Sequence, residues 1–196
     1  WDSNFKLVSH LSETSGTNAV DSTENENTGT ASGTTATSSD AIAGYARDFD
    51  GVDDNINFGS ATSVDAFSQK TISMWIVSDS FLSSARQLMA KQTFSAHWQF
   101  RVQTTGKFRY NDRSTIGSWE STITVSTGTL QLVAMTYDNT STSTNPIFYI
   151  NGASAGITGS SNSGALLSDA TSSIFIGTDG ASAIDFDGRM DEIRYS

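Results

Sequence analysis

The feature that most limits what this chain can become is how its large apolar side chains are distributed. They come in short runs of about four to eight residues, rich in β-branched and aromatic types, each closed by Gly, Asn, Ser or Asp. No stretch of about a dozen residues keeps apolar positions at three-and-four spacing without such a break, so helices are not expected. Strands are predicted at Thr71–Val77, Gln87–Lys91, Trp98–Thr104, Lys107–Tyr110, Gln131–Tyr137, Ile147–Ile150, Ser173–Ile176 and Met190–Tyr195. Asn151-Gly152 suits a type I′ hairpin turn, Asp50-Gly51 closes another run, and Thr104–Gly106 fits a short hairpin loop, so pairing should be mainly antiparallel. Thr28–Ala43 and Asn139–Asn145 are poor in bulky side chains and read as long surface loops. Many short strands with turn residues between them imply an all-β sandwich or barrel, and residues 1–196 fit one such domain.

Composition narrows the function classes. With no Cys there is no disulfide framework, thiolate metal site or Cys nucleophile. A net charge of −10 repels nucleic acid and anionic membrane surfaces at long range. No apolar run approaches the roughly 18 residues that a membrane-spanning helix needs. The start at Trp1 carries no charged and apolar leader, which reads as a mature or excised domain. The acidic, Ser/Thr/Gly/Asn-rich composition suits an extracellular or surface-displayed protein.

Three groups of residues carry candidate chemistry. Asp21, Asn25 and Asn27 place alternating oxygen-bearing side chains in a turn, with Gly29 allowing a bend. Such a run can supply Ca²⁺ ligands or can make Asx-turn hydrogen bonds alone. Asp50, Asp53 and Asp54 put three carboxylates within five residues, which could hold a second metal ion but read in preference as a turn followed by a strand start. Six of the eleven basic residues, Arg86, Lys91, Arg101, Lys107, Arg109 and Arg113, fall in a stretch whose one acid is Asp112. Period-two alternation there sets Trp98, Phe100 and Val102 against His97, Gln99, Arg101 and Gln103, and Phe108 and Tyr110 against Lys107, Arg109 and Asn111. One sheet face would then be polar, basic and amide-rich, able to bond sugar hydroxyls and to pair with sulfate or uronate. It would equally serve as a solvated outer face. Trp119, in the turn-like Gly117-Ser118-Trp119-Glu120, is the candidate exposed stacking residue, whereas Trp75 and Trp98 are expected in the core.

The motifs, in order, resemble LamG-like jelly-roll domains of the concanavalin A-like lectin/glucanase superfamily. Arg47-Asp48-Phe49-Asp50-Gly51-Val52-Asp53-Asp54 is similar to an FDGVDDY-type opening, and Thr71-Ile72-Ser73-Met74-Trp75 to a TISxW strand. Phe148-Tyr149-Ile150-Asn151-Gly152 resembles the family's LYVNG hairpin, and Ile176-Gly177 with Phe186–Tyr195 its closing FxGxIDEVRIY. The resemblance implies a two-sheet antiparallel jelly-roll sandwich whose first and last strands pair. It also implies a structural Ca²⁺ tying the N-terminal segment to the last strand, with Asp191 as partner of Asp21, Asn25 and Asn27. Glucanases share this architecture, but their E-x-D-x-x-E string is absent: the five Glu are at 13, 24, 26, 120 and 192. Neither His10 nor His97 has a nucleophile-elbow context. The expectation is therefore a non-enzymatic, Ca²⁺-stabilised glycan-binding module. Its ligand surface would be Trp119, Arg101, Arg109, His97, Gln99 and Asn111, and its ligand a neutral or anionic polysaccharide. The rival expectation is a structural or adhesive domain of a cell-surface, filament or phage assembly, contacting neighbouring domains or other protein subunits.

Overall fold

In the computed structural model, which describes residues 1–37, 40–65, 67–81, 85–92, 97–112, 117–141, 143–160, 168–180 and 184–196, every one of the predicted apolar runs is a strand. In chain order these are β1 (Leu7–Ser9), β2 (Asn18–Ala19), β3 (Gly29–Ser32), β4 (Thr35–Thr37), β5 (Ala46–Asp50), β6 (Asn55–Gly59), β7 (Gln69–Ser78), β8 (Arg86–Gln92) and β9 (Trp98–Val102). They continue as β10 (Lys107–Asp112), β11 (Gly117–Thr124), β12 (Gln131–Asp138), β13 (Ile147–Ile150), β14 (Ala153–Ser154), β15 (Thr158–Ser160), β16 (Ser173–Ile176) and β17 (Asp187–Tyr195). A single 3₁₀ turn at Thr62–Val64 is the one helical element among the described residues. The first sheet runs β14-β13-β12-β7-β17-β5-β4, with β1 also on β17, and the second runs β15-β11-β10-β9-β8-β16-β6-β3-β2.

β7 shows how sequence sets the layering. Ile72, Met74 and Ile76 point into the sandwich, while Thr71, Ser73 and Trp75 alternate on the outer face, so a one-residue slip would expose the whole apolar set. Trp75 is accordingly half-buried on the outer face of the first sheet and not in the core. Phe100, Phe108 and Phe148 pack from opposite sheets, their ring centroids 5.2 to 6.1 Å apart. Each large side chain so buried contributes about 1.5–3 kcal/mol.

β17 serves two neighbours along one edge. It pairs β5 through Asp187–Met190 and β1 through Ile193–Tyr195, and a bulge between Asp191 and Arg194 marks the change. Gly188, at φ 134°, lets β17 pass close to β7, since a Cβ there would sit 2.0 Å from the Val77 carbonyl oxygen. Asn151 and Gly152 both take positive φ, 50° and 80°, in the β13–β14 hairpin, as a type I′ turn requires.

The 28–43 segment, expected as a loop, contains β3 and β4. Its small Ser and Thr side chains conceal strands whose ladders lie on β6 and β5. The 117–120 stretch, expected as a turn, opens β11.

Candidate functional site

Four of the residues expected to bind ligand are cross-strand neighbours on the outward face of the second sheet. Asn111 lies opposite Gln99 and Arg109 opposite Arg101, while Ser118 on β11 faces Asn111 and donates its hydroxyl to Asn111 Oδ1 at 2.9 Å. The same register carries the row onward through Ala90, Phe175, Asn57 and Thr30. The result is a band of amide and hydroxyl groups with one half-buried aromatic ring in it. Gln99 donates Nε2 to Asp179 Oδ2 at 3.3 Å and accepts from Arg101 Nη1 at 3.4 Å. The Thr178–Gly180 loop thereby presses onto the face beside Phe175. His97 lies just before β9, half-buried, its backbone N–H bonded to the Lys91 carbonyl.

Two expectations for this face are corrected. Trp119 is not exposed: it is 1% accessible, stacks near Tyr110 and Tyr137, and donates Nε1 to Asn145 Oδ1 at 2.8 Å. Gly117, two residues earlier on the same side of β11, makes room for the indole, because a Cβ there would lie 1.9 Å from the ring. The basic stretch is also not one cationic surface. Arg86 is 7% exposed, bonding the Ser80 and Asp185 carbonyls, and Lys91 is fully buried against Val64 O, Asp65 and Asp169. Arg109 pairs with Glu120 at 3.0 Å, and Arg113 lies outside the described residues. The face is therefore more amide-rich than basic.

The residues expected to hold Ca²⁺ already have protein partners. Asp21 Oδ1 accepts the Val8 and Thr23 N–H groups, and Oδ2 accepts the Thr23 hydroxyl and the Asn27 N–H, all at 2.9–3.0 Å. Asn25 and Asn27 donate their amide groups to the Phe5 and Lys6 carbonyls, and Asn27 Oδ1 accepts from Ser63. Asp191 is engaged with a different segment, accepting the backbone N–H of Ile42 at 2.6 Å and of Glu192 at 2.8 Å. A cation needs six to eight oxygen lone pairs aimed at one point. Here both Asp21 oxygens are taken up by four N–H and O–H donors and Asp191 serves a different segment, so the four residues do not aim free oxygens at one point as Ca²⁺ needs, and the Asp21 group works as a hydrogen-bonded clasp. Burial pushes the Asp191 carboxyl above the usual carboxylate range, with the neighbouring Glu192 adding to the effect against its backbone hydrogen bonds.

Carboxylate oxygens do converge at Asp50, Asp53 and Asp54, all within 4.8 Å of one another. Asp54 Oδ2 accepts the Asp50 N–H and Asp50 Oδ1 the Val52 N–H, as a turn requires. Burial first, and Asp50, Asp53 and Asp48 after it, hold the Asp54 carboxyl above its ordinary range.

A family model described as the concanavalin A-like lectin/glucanases superfamily matches residues 50–196. Among solved structures, the binding domain of Paraclostridial Mosquitocidal Protein 1 aligns with a TM-score of 0.72 at 16% identity, over 98% of this chain and 48% of that one. Domain 4 of AbnA, a GH43 extracellular arabinanase from Geobacillus stearothermophilus solved with arabinotriose, aligns with a TM-score of 0.69 at 15% identity, over 98% and 91%. Trypanosoma rangeli sialidase in complex with the inhibitor DANA aligns with a TM-score of 0.65 at 14% identity, over 96% and 30%. The chain thus spans about half of the first of these and under a third of the sialidase. No curated protein matches the sequence. No helix among the described residues is long and apolar enough to cross a membrane.

Proposed function

Because the chain belongs to the concanavalin A-like lectin/glucanase superfamily, we propose that it is a non-catalytic carbohydrate-binding module of a secreted or cell-surface protein, holding glycan on the polar face of its second sheet. The observation that carries this reading is the cross-strand band of Ser118, Asn111, Gln99 and Arg101. It offers donors and acceptors at the spacing of neighbouring strands, which is about 5 Å and close to the repeat of sugar hydroxyls along a chain. The alignment with an arabinanase domain solved with arabinotriose, nearly end to end in both chains, supports a sugar as the ligand.

A non-catalytic role is supported by the carboxylates. Retaining glycosidases place two of them about 5–5.5 Å apart on either side of a bound sugar. The close trio Asp50, Asp53 and Asp54 caps a turn, away from the surface grooves beside Thr71 and Ile147, beside Phe81 and Thr127, and beside Lys6 and Phe67. Calcium has no part in this reading, since the Asp21 clasp is complete without it. A neutral glycan is favoured over an anionic one, because most of the basic residues near the face are buried or paired.

Calorimetric titration with arabinotriose and with neutral and uronate-bearing polysaccharides tests the proposal. Binding of a neutral glycan that weakens about tenfold, or about 1.4 kcal/mol, in Asn111→Ala and in Arg101→Ala is the expected outcome. No binding by the folded wild-type protein to any glycan overturns it in favour of the protein-contact role.

A further inference from the structure

The loop that joins β9 to β10 and the segment that follows β7 wall a groove of about 540 Å³ at one end of the sandwich. That volume lies in the range of about 300–1,000 Å³ typical of small-molecule sites. The loop is the short Thr104–Gly106 hairpin that its sequence predicts, closed by the Gly106 N–H on the Gln103 carbonyl at 2.8 Å. The one large apolar side chain of the groove is Phe81, half-buried and packed against the core. Gly106 lies beside it at φ 77°, and a Cβ there would sit 3.3 Å from Thr124 and 3.5 Å from the Phe81 ring. A side chain at this position would crowd the ring, so glycine keeps the aromatic floor open.

Around that floor stand hydroxyl groups. Thr104, Thr105, Thr124, Ser126 and Thr127 line the groove and are all exposed, and none of their hydroxyls is hydrogen-bonded among the described residues. By contrast, Thr122, Thr140, Thr144 and Thr158 each donate theirs to a nearby protein oxygen. Free hydroxyls can both donate and accept, and they turn to suit an occupant. Asp79 is the one charged residue of the lining among the described residues. Arg189 forks onto it, Nη1 on Oδ2 at 3.1 Å and Nη2 on Oδ1 at 2.9 Å, which fixes a carboxylate that is still 41% exposed. The same guanidinium reaches Asp40 at 2.9 Å and Asp48 at 3.8 Å, so three carboxylates share one cation and the rim stays negative.

We propose that this groove is a second binding site, separate from the sheet face, that takes one neutral sugar ring. The Phe81 ring meets its C–H surface, and the Thr and Ser hydroxyls with the Asp79 carboxylate meet its hydroxyls. Charge fixes the class: no ammonium or guanidinium lines the groove among the described residues, and the negative rim repels a uronate or a sulfate. From Gln99 on the face to Gln103 at the hairpin the chain covers about 13 Å, so the two sites can be read apart. The inference rests on the carbohydrate-binding reading but not on the sheet-face site.

The test is a titration of ¹⁵N-labelled protein with L-arabinose, D-galactose, arabinotriose and D-galacturonate. Backbone amide signals of Gly106 and Thr127 report on the groove, and side-chain amide signals of Gln99 and Asn111 on the face. The expected result is saturable movement of Gly106 and Thr127 with a neutral sugar and a weaker response to galacturonate, by about tenfold. Phe81→Leu, which keeps an apolar side chain and removes the ring, should cut groove affinity about fivefold while Asn111 still responds. Thr105→Ala, at an exposed position with no internal bond to lose, should cut it about threefold and serves should Phe81→Leu fail to fold. Movement confined to Gln99 and Asn111 overturns the groove and leaves the face. An equal or stronger response to galacturonate, or unchanged groove affinity in either folded variant, also overturns it. No movement with any sugar removes the carbohydrate-binding reading together with this one.

Discussion

The two ends of the sandwich handle charge differently. Where β5 and β7 finish and β17 begins, the ion pairs of Arg189 lie towards the surface, while the buried Arg86 is held by backbone carbonyls. Arg189 pairs with Asp40 and Asp79, each at 2.9 Å, and Arg86 lies 3.6 Å from Asp187. At the other end the charges stand inside, with Lys91 held by Val64 O, Asp65 and Asp169 and with Lys70 above Trp98. Exposed ion pairs add little to stability, whereas a buried pair carries a desolvation cost that matched apolar residues would avoid. A fold that keeps polar groups inside at one end gives up stability there.

This contrast can be broken experimentally. The largest effect is expected for Lys91→Ala, which removes the buried ammonium that Asp65 and Asp169 share. A loss of about 3–5 kcal/mol by denaturant unfolding is expected, whereas Arg189→Ala at the acid end should cost under about 1 kcal/mol. Similar losses at both positions would erase the distinction. Next comes the clasp at the N-terminal segment: Asp21→Ala should cost about 2–3 kcal/mol through stranded donors, and chelator should leave the wild-type melting temperature unchanged. A fall of several degrees in chelator would restore a metal to the account.

The smallest effect is that of pH. Asp48, Asp54, Asp185 and Asp191 are all held above the ordinary carboxylate value, in each case chiefly by burial, and repulsion from neighbouring carboxylates adds to it. A raised acid binds its proton more tightly when folded, so stability falls as pH rises from the ordinary value of 3.8 through the raised ones, and levels off above them. Asp138, held below its ordinary value by Thr140 and Gln69, acts only at lower pH. The melting temperature should therefore be higher near pH 4 than near pH 7. The replacement Asp54→Asn should shrink that difference, and a flat profile would show that these carboxyls are not strained by the fold.

The architecture was legible because period-two alternation and turn residues report directly on strand parity, and β7, β9, β10 and β12 fall where the alternation puts them. The site was less legible. Trp119 lies between Ser118 and Glu120, and the bare Gly117 shares its face, so strand parity pointed inward there while the local Gly and Ser suggested a turn. Lys70 sits in step with Ile72, Met74 and Ile76, but a lysine at an inward position is ordinarily placed at the surface on charge alone. Which donors Asp21 would accept from, and that Asp191 would serve the 42–43 segment, depend on loop paths that leave no periodic mark in the sequence.

The pairing of β1 with β17 has a mechanical consequence. Leu7 lies opposite Tyr195, and the Lys6 N–H bonds the Tyr195 carbonyl, so the two outermost strands of the chain leave the sandwich side by side. Tension applied through residues before Lys6 and after Tyr195 would load this three-residue ladder one bond at a time, peeling it open before any shear reached β7. The Asp21 carboxylate, fastened to the Val8 N–H, is the next catch in that line. Force would therefore release the N-terminal strand first while the remaining sheets, including the polar face, stayed assembled.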